Sequence, residues 1–203
     1  MSAKYLPKSD DSDDDDDVVI SGGDDPYTTG FLENNAFFET IKNMQDAFYA
    51  VNKKKTLFKK AQKEELTKAI CSQLDINYLL SKMIRMGETN NIYFDYLIFK
   101  MFANADNYDQ IITYCIKLFS DIIVKYGSYI IHVNLKSITV SAVERHQDFV
   151  RQFTRKCLLD GRHEYSLRLE MCNLYNSPSV LEMIKTMLKT MIEPIVMQKI
   201  KLV

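Results

Sequence analysis

The stretch Tyr129-Ile-Ile-His-Val-Asn-Leu-Lys-Ser137 decides the fold of this 203-residue chain. Its first seven residues form a near-continuous apolar run, which is typical of a β-strand that is covered on both faces. The segment from Tyr108 to Tyr126 carries apolar residues at helical spacing, and Gly127 supplies a stop at its C-terminal end. The sequence therefore predicts a helix that leads directly into a buried strand.

The segments after this strand continue the alternation of helices and strands. Ser141 and Glu144 have the spacing of a capping box, which predicts the start of a helix. Leu167 to Leu174 is the next apolar run and predicts a strand, and a further helix is expected to end before Pro194. Strands and helices that alternate with connections of this length predict parallel βαβ packing.

The segments before the strand are mostly helical in pattern. Apolar residues in steps of three and four predict a helix over Asn35 to Val51, a second that reaches about Leu74, and a third over Ile76 to Met86. Gly87 to Asn91 is a turn, and the aromatic run Ile92 to Phe99 predicts a strand. We therefore expect an α/β protein in which a helical N-terminal part precedes a small, mostly parallel sheet covered by helices.

The net charge of −1 conceals an acidic arm on a mildly basic body. Nine Asp and two Lys give residues 1–30 a charge of −7, so the other residues carry +6. We expect an acidic low-complexity arm over 1–30, a helical subdomain over 31–86 and an α/β domain over 87–203. The Asp-rich block 10–17 would either bind protein partners or fold over basic residues of the same chain.

A cluster of lysines provides such a basic surface. Its members are Lys53, Lys54, Lys55, Lys59, Lys60 and Lys63. A solvated helix face is one reading, and an anionic membrane surface is another, because each basic residue near such a membrane contributes about 1 kcal/mol. The sequence disfavours nucleic acid as a partner, since Glu64 and Glu65 interrupt the cluster and the total charge is near neutral.

Four short motifs in the last 75 residues carry a resemblance to a known family. They are the turn His132-Val-Asn-Leu-Lys-Ser137, the corner Asn176-Ser177-Pro178, the break Glu193-Pro194 and the strand start Gln198-Lys199-Ile200. In this order the motifs resemble the core of the CRAL-TRIO lipid-transfer family, mainly over residues 129–203. Asn134 stands where the family has an acidic residue, Ser137 stands where it has Gly, and the match stops before the family's closing helix.

The resemblance implies an open, mostly parallel sheet that forms the floor of an apolar cavity, with a mobile gate helix over its mouth. The gate or cover would be formed by Val180, Leu181, Ile184, Met187, Leu188 and Met191, and the floor by Ile131, Val133, Leu169 and Met171. The fold motif would comprise Asn176, Pro178 and Lys199. The Asn-x-Pro corner also has a structural reading, because Asn tolerates turn geometry and Pro sets the entry of the following helix.

No motif in the sequence predicts an enzyme. His132, His146 and His163 lack partners at metal-ligand spacing. We expect His146 and His163 on solvated surface and His132 in the sheet with its ring hydrogen-bonded. Neither a nucleophile elbow nor a Gly-rich phosphate loop is present, so we expect no catalytic residues, metal or cofactor. The four scattered cysteines, without a Cys-x-x-Cys pair, favour free thiols in a reducing compartment.

Two leading functional hypotheses follow, and a regulatory adaptor that acts through the N-terminal helices is a third. The first is a non-enzymatic CRAL-TRIO-like protein that binds a lipid, another apolar ligand or a membrane-proximal surface. The second is a structural component of a large assembly, such as a minor capsid protein of a large DNA virus, that reuses a degenerate lipid-transfer fold. Without a secretory signal or a transmembrane run, we expect a cytoplasmic protein under the first hypothesis and a virion protein under the second.

Overall fold

The computed structural model describes residues 35–54, 59–159, 163–176, 186, 189, 192 and 194–203. It has the expected α/β architecture, with a helical N-terminal part and a small mixed sheet covered by helices. The helices are α1 (Asn35–Val51), α2 (Lys59–Gln73), α3 (Ile76–Met83), α4 (Tyr96–Phe102), α5 (Tyr108–Tyr126), α6 (Val140–Arg145), α7 (Gln147–Thr154), α8 (His163–Arg168) and α9 (Pro194–Met197). The strands are β1 (Ile84–Met86), β2 (Asn91–Asp95), β3 (Tyr129–Asn134), β4 (Leu169–Tyr175) and β5 (Ile200–Leu202).

The five strands lie in the sheet in the order in which they occur in the chain. The pair β1–β2 is antiparallel, and the pairs β2–β3, β3–β4 and β4–β5 are parallel. Right-handed crossovers between parallel strands in sequential order all return over the same face of the sheet. The helices between β2 and β4 are therefore expected on one face.

Contacts of individual side chains identify that face. Phe99 of α4 lies against Phe94 of β2, with ring centroids 5.7 Å apart. Phe119 of α5 stacks on Tyr129 of β3 at 5.1 Å, and the Tyr129 hydroxyl donates to the carbonyl oxygen of Tyr165 in α8 at 2.8 Å. We call this side of the sheet the covered face, because helices from both crossovers pack on it.

The strand register divides the remaining residues between the two faces, because directly paired residues share a face and successive residues alternate. The covered face includes Ile92, Phe94, Tyr129, Ile131, Val133, Leu169, Cys172 and Leu174. We call the other side the opposite face, and it carries Arg85, Asn91, Tyr93, Ile130, His132, Met171, Asn173 and Lys201. A shift of register between Tyr129 and Ile130 inserts Glu170 into β4 as a bulge.

Two predicted elements end earlier than the sequence pattern suggests. The strand prediction over Ile92 to Phe99 is wrong in its second half, because the Asp95 carboxylate accepts from the backbone N–H of Leu97 at 2.8 Å and starts α4. The helix prediction over Ile76 to Met86 is wrong in its last three residues, which pair with β2 as strand β1. In both cases pairing or capping overrides local propensity.

Other helix boundaries follow from local chemistry. Gly127 has φ +82° and donates to the Ile123 carbonyl oxygen at 2.8 Å, so the predicted end of α5 is confirmed. The cap of α6 is Thr139, which accepts from the Ala142 N–H at 3.2 Å, rather than the expected Ser141. Within the described ranges, no helix has the length and apolar character needed to cross a membrane.

Candidate functional site

A row of mostly polar side chains crosses the opposite face of the sheet, one from each strand. Arg85, Tyr93, His132, Asn173 and Lys201 are aligned in direct register from β1 to β5. We call these five residues the polar row. The first four are half-buried and Lys201 is exposed. Because the row gathers polar groups from all five strands on one face, this face is the candidate site.

Three aromatic rings on this face lie nearly parallel. Tyr93 and His132 stack with centroids 4.8 Å apart and an interplanar angle of 16°. His132 and Tyr175 are 5.8 Å apart at 19°, and the guanidinium of Arg85 lies 5.8 Å from the centroid of the Tyr93 ring. Neighbouring strands hold such pairs side by side, so the stack is fixed by the register.

The hydrogen bonds of His132 determine its tautomer. The Asn91 amide nitrogen donates to the Glu88 carbonyl oxygen and to the Thr89 hydroxyl, both at 2.9 Å. The Asn91 side-chain oxygen therefore accepts from His132 Nε2–H at 2.9 Å. His132 Nδ1 is left to accept from the Tyr175 hydroxyl at 2.9 Å. Burial lowers the pKa of His132, so the ring is neutral near pH 7, and the expected hydrogen-bonded sheet residue is confirmed.

Gly87 packs against the Tyr93 ring at one end of the stack. A Cβ atom at this position would overlap Tyr93 Cε2. Gly87 also donates its N–H to the Asn91 carbonyl oxygen at 2.8 Å, which closes the turn between β1 and β2. Sequence reasoning identified the turn, but the close approach of a ring to Gly87 has no signature in the sequence.

Three further polar residues come together at the carboxyl ends of β2, β3 and β4, namely Asp95, Asn134 and Asn176. The side-chain oxygen of Asn134 accepts from the Asn176 amide at 3.0 Å and from the Lys136 N–H at 3.1 Å. Burial raises the pKa of Asp95 to about 6, against the opposing effect of hydrogen bonds from the N–H groups of Leu97 and Ile98 and from the Asn134 side chain. In open α/β sheets, ligands bind beyond this end of the strands.

Two residues at this edge have left-handed backbone conformations. Ser137 after β3 has φ +61°, and Asn176 after β4 has φ +53°. Ser137 also accepts a hydrogen bond from Lys100 Nζ at 2.8 Å. Left-handed φ favours Gly and, to a lesser degree, Asn, so the glycine that the resemblance leads one to expect at position 137 would suit this backbone. The Asn of the Asn-x-Pro corner therefore has a conformational role.

The structure does not bring the four expected floor residues together. Ile131, Val133 and Leu169 lie on the covered face, where Leu169 is 4% exposed. Met171 lies on the opposite face, because the bulge at Glu170 reverses the alternation between it and Leu169. Of the four, only Met171 shares a face with the polar row. A pocket role for each of them remains a prediction.

The expected gate residues lie outside the described residues. These are Val180, Leu181, Ile184, Met187, Leu188 and Met191, and the same holds for Pro178. Lys199 is described, and its ammonium group donates to the carbonyl oxygens of Ser166 at 2.8 Å and Leu167 at 3.3 Å. Lys199 therefore ties the segment before β5 to the end of α8.

The expected basic surface lies where α1 ends and α2 begins. Lys53, Lys54 and Lys60 are exposed and Lys63 is half-buried, whereas Lys55 falls outside the described ranges and Lys59 is the first residue of α2. Gln62 donates to the Lys53 carbonyl oxygen at 3.0 Å and so joins the two helix ends. This surface is remote in sequence from the strands that carry the polar row.

His146 was expected on the surface, and this expectation is wrong. The side chain is 4% exposed, with Phe99 against its ring at 4.8 Å. Arg145 Nε donates to His146 Nε2 at 3.2 Å, so Nδ1–H donates to the Tyr108 hydroxyl at 2.8 Å. Burial lowers the pKa of His146 to about 3. The spacing of three to the inward-facing Phe149 could have placed His146 on the buried side.

Comparisons with known proteins add no assignment. No family model, curated protein or solved structure matches this chain. Among the described residues, no group of three or more His, Cys, Asp or Glu side chains is arranged to hold a metal ion.

Proposed function

We propose that this chain is a non-enzymatic, CRAL-TRIO-like binding protein that holds an amphipathic lipid-like ligand on the opposite face of its sheet. The observation that carries the proposal is the polar row from Arg85 to Lys201. It lies on the opposite face of the sheet, whereas the described helices between β2 and β4 pack on the covered face. The resemblance over residues 129–203 supports the same class of ligand. The chemistry of the face supports an amphipathic ligand rather than a purely apolar one.

Apolar and basic groups lie side by side on this face. Ile130 and Met171 are paired in neighbouring strands and are half-buried. They precede His132 and Asn173 of the polar row by two residues, on the same face of the sheet. Arg85 lies at the β1 edge and is half-buried, with its guanidinium 5.8 Å from the centroid of the Tyr93 ring. A guanidinium binds carboxylate and phosphate oxygens in a two-pronged geometry. An amphipathic ligand matches both kinds of group, because its acyl chain would lie over Ile130 and Met171 and its anionic group would bind Arg85.

The state of the histidines supports a binding role over a catalytic one. His132 uses both ring nitrogens in hydrogen bonds, to Asn91 and Tyr175, and its pKa is lowered by burial. His146 is likewise bonded at both nitrogens, with its pKa lowered to about 3. A general base needs a pKa near the working pH and access to the proton that it removes. These rings instead position their neighbours.

Native mass spectrometry of the full chain, followed by organic extraction, tests the proposal. We expect one lipid per chain after incubation with mixed lipid vesicles. Met171→Glu should abolish this occupancy, because it places a charge where the acyl chain lies. Val124→Glu is the matched control, since Val124 is 88% exposed on α5, away from the sheet.

The headgroup is tested separately. Arg85→Ala should lower the occupancy by anionic lipids more than that by neutral lipids, whereas Arg168→Ala, at an exposed position of α8, should alter neither. A chain that stays empty after incubation with every lipid mixture would overturn the proposal. Retention of lipid by Met171→Glu would show that the ligand lies elsewhere.

A second candidate is a structural component of a large assembly, such as a minor capsid protein of a large DNA virus. The observation that favours it is the edge strand β5, on which no further strand pairs among the described residues. Leu202 and Val203 are 46% and 54% exposed there. Such an edge accepts a strand from a neighbouring chain. Sedimentation that depends on concentration, and is reduced by Leu202→Lys, would favour this candidate over lipid binding.

A further inference from the structure

The two N-terminal helices α1 and α2 leave an apolar groove between them. The groove has a volume of about 280 Å³ and is lined by Met44, Ala47, Phe48, Val51, Asn52, Leu66, Ala69, Ile70 and Gln73. Ile70 is fully buried at its base, whereas Val51 at its rim is 84% exposed. Ligand pockets typically measure about 300–1,000 Å³. This groove therefore suits a few side chains of a peptide better than a whole small molecule.

One end of the groove is basic. Four residues that follow one another in steps of three and four form one stripe along α2. They are Lys63, at the N-terminal end of the stripe, Leu66, Ile70 and Gln73. Lys53 and Lys54 directly follow Asn52, which lines the groove, and both are exposed. The hydrogen bonds from Gln62 to the carbonyl oxygens of Asn52 and Lys53 hold the two helix ends together.

The two acidic residues of α2 lie away from this stripe. Glu64 lies off the stripe and pairs with Lys68 at 3.8 Å, and Lys68 also contacts Asp106 at 2.9 Å. Glu65 is exposed and adjoins Glu64, on the side of α2 away from the stripe. A fitting occupant therefore has aliphatic side chains that directly adjoin a run of negative charge.

The chain itself contains a segment of this chemistry. Asp13 to Asp17 are five consecutive aspartates, and Val18-Val19-Ile20 follow them without a break. We propose that residues 13–20 bind the groove of the same chain, with Val18 to Ile20 between α1 and α2 and the aspartates at Lys53, Lys54 and Lys63. The contact is independent of the lipid-binding proposal, which concerns the sheet.

The connection is long enough for this contact. Residues 21–34 separate the segment from α1, and 14 extended residues span up to about 46–50 Å. The 17 residues of α1 measure only about 25 Å at 1.5 Å per residue. The segment therefore reaches the C-terminal half of α1, where the groove lies. A tether of this kind produces an effective concentration of the order of millimolar, so that a weak contact is occupied.

Methyl NMR of the full chain tests the proposal directly. We expect nuclear Overhauser cross-peaks between the methyl groups of Val18 to Ile20 and those of Met44 or Val51. Conversion of Asp13 to Asp17 into Asn should remove these cross-peaks and shift the groove methyl resonances. The Lys53→Glu, Lys63→Glu double variant should have the same effect, as should about 1 M salt, at which the Debye length is about 3 Å.

Two controls separate this contact from a general change of charge. Conversion of Asp24 and Asp25 into Asn lowers the charge of the same arm outside the proposed segment and should leave the cross-peaks intact. Lys125→Glu reverses an exposed lysine at the end of α5 and should also leave them intact. Because every variant is read in the full chain, the signals of the buried Ile122 report whether the fold is retained.

Three results would overturn the proposal. The first is an absence of cross-peaks in the unaltered chain. The second is a groove whose methyl resonances do not change when Asp13 to Asp17 are neutralised. The third is a set of cross-peaks that appears only between differently labelled copies in a mixed sample, because the occupant would then be a second molecule rather than the same chain.

Discussion

The covered face and the opposite face of the sheet belong to the same five strands but are stabilised by different interactions. On the covered face, Ile92 and Tyr129 are at most 1% exposed and pack beneath helices. On the opposite face, Tyr93 and His132 are half-buried and interact with each other and with polar neighbours. The covered face is a hydrophobic core, whereas the opposite face is a hydrogen-bonded stack.

The difference arises from topology together with the residues that each face receives. Strand β3 places Tyr129, Ile131 and Val133 on the covered face and Ile130, His132 and Asn134 on the opposite face. Sequential strand order gathers the described helices between β2 and β4 on the covered face. Polar side chains on that face then satisfy one another, as His132 does with Asn91 and Tyr175.

Truncation of one large side chain on each face provides the strongest test of this contrast. Phe119→Ala removes a ring that is 2% exposed and stacks on Tyr129, and it should lower the free energy of unfolding by about 3–5 kcal/mol. Met171→Ala on the opposite face should cost only about 1 kcal/mol, because its side chain is half-buried. Urea denaturation of both variants measures the difference. Equal costs would show that both faces are core.

A pH titration of stability tests the carboxyl edge of the opposite face. Burial raises the pKa of Asp95 from 3.8 to about 6, so between these values the folded chain retains a proton that the unfolded chain has lost. This contribution to stability is fully present below pH 3.8 and is lost as the pH rises through 6. At 1.36 kcal/mol per pKa unit it amounts to roughly 3 kcal/mol.

The matched variant is Asp95→Asn, since Asn also caps helices well. The free energy of unfolding of this variant should lack the decline between pH 4 and pH 6.5 that we expect of the unaltered chain. If both chains decline in parallel, another group is responsible for the pH dependence.

The smallest expected effect concerns the turn behind the stack. Gly87→Ala would push the Tyr93 ring away from His132 and should cost about 1–3 kcal/mol. Gly127→Ala should cost about 1 kcal/mol through its left-handed backbone, with no atom within 4 Å to displace. NMR of the His132 ring distinguishes the two, because only Gly87→Ala should change its chemical shifts. Unchanged shifts in both variants would argue against the close packing of Tyr93.

Elements with strong local patterns could be predicted from the sequence. The spacing of apolar residues over Asn35–Val51 and the stop at Gly127 gave both helices correctly, because capping and amphipathic burial are local effects. The partition of β4 between the faces was not predictable, since the bulge at Glu170 arises from pairing with Tyr129 and Ile130. His146 was misplaced because its polar ring is satisfied by the distant Tyr108.

The same limit explains why the polar row was missed. The five residues of the polar row are far apart in the chain, and only the register of four strand pairs aligns them. Each of them alone is an ordinary strand residue. A polar residue in the middle of each apolar run was the available signal, and it becomes informative only once the strand order is known.

The sequential strand order has a consequence for how the chain folds during synthesis. Each new strand pairs with the strand that precedes it, so the sheet can grow at one edge as the ribosome delivers residues. Pairing between neighbours in sequence also limits the loops that must close before contacts form. Among the described strands, β5 at Ile200–Leu202 emerges last and pairs with β4. The edge that is proposed to join a neighbouring chain is therefore the last part of the described sheet to form.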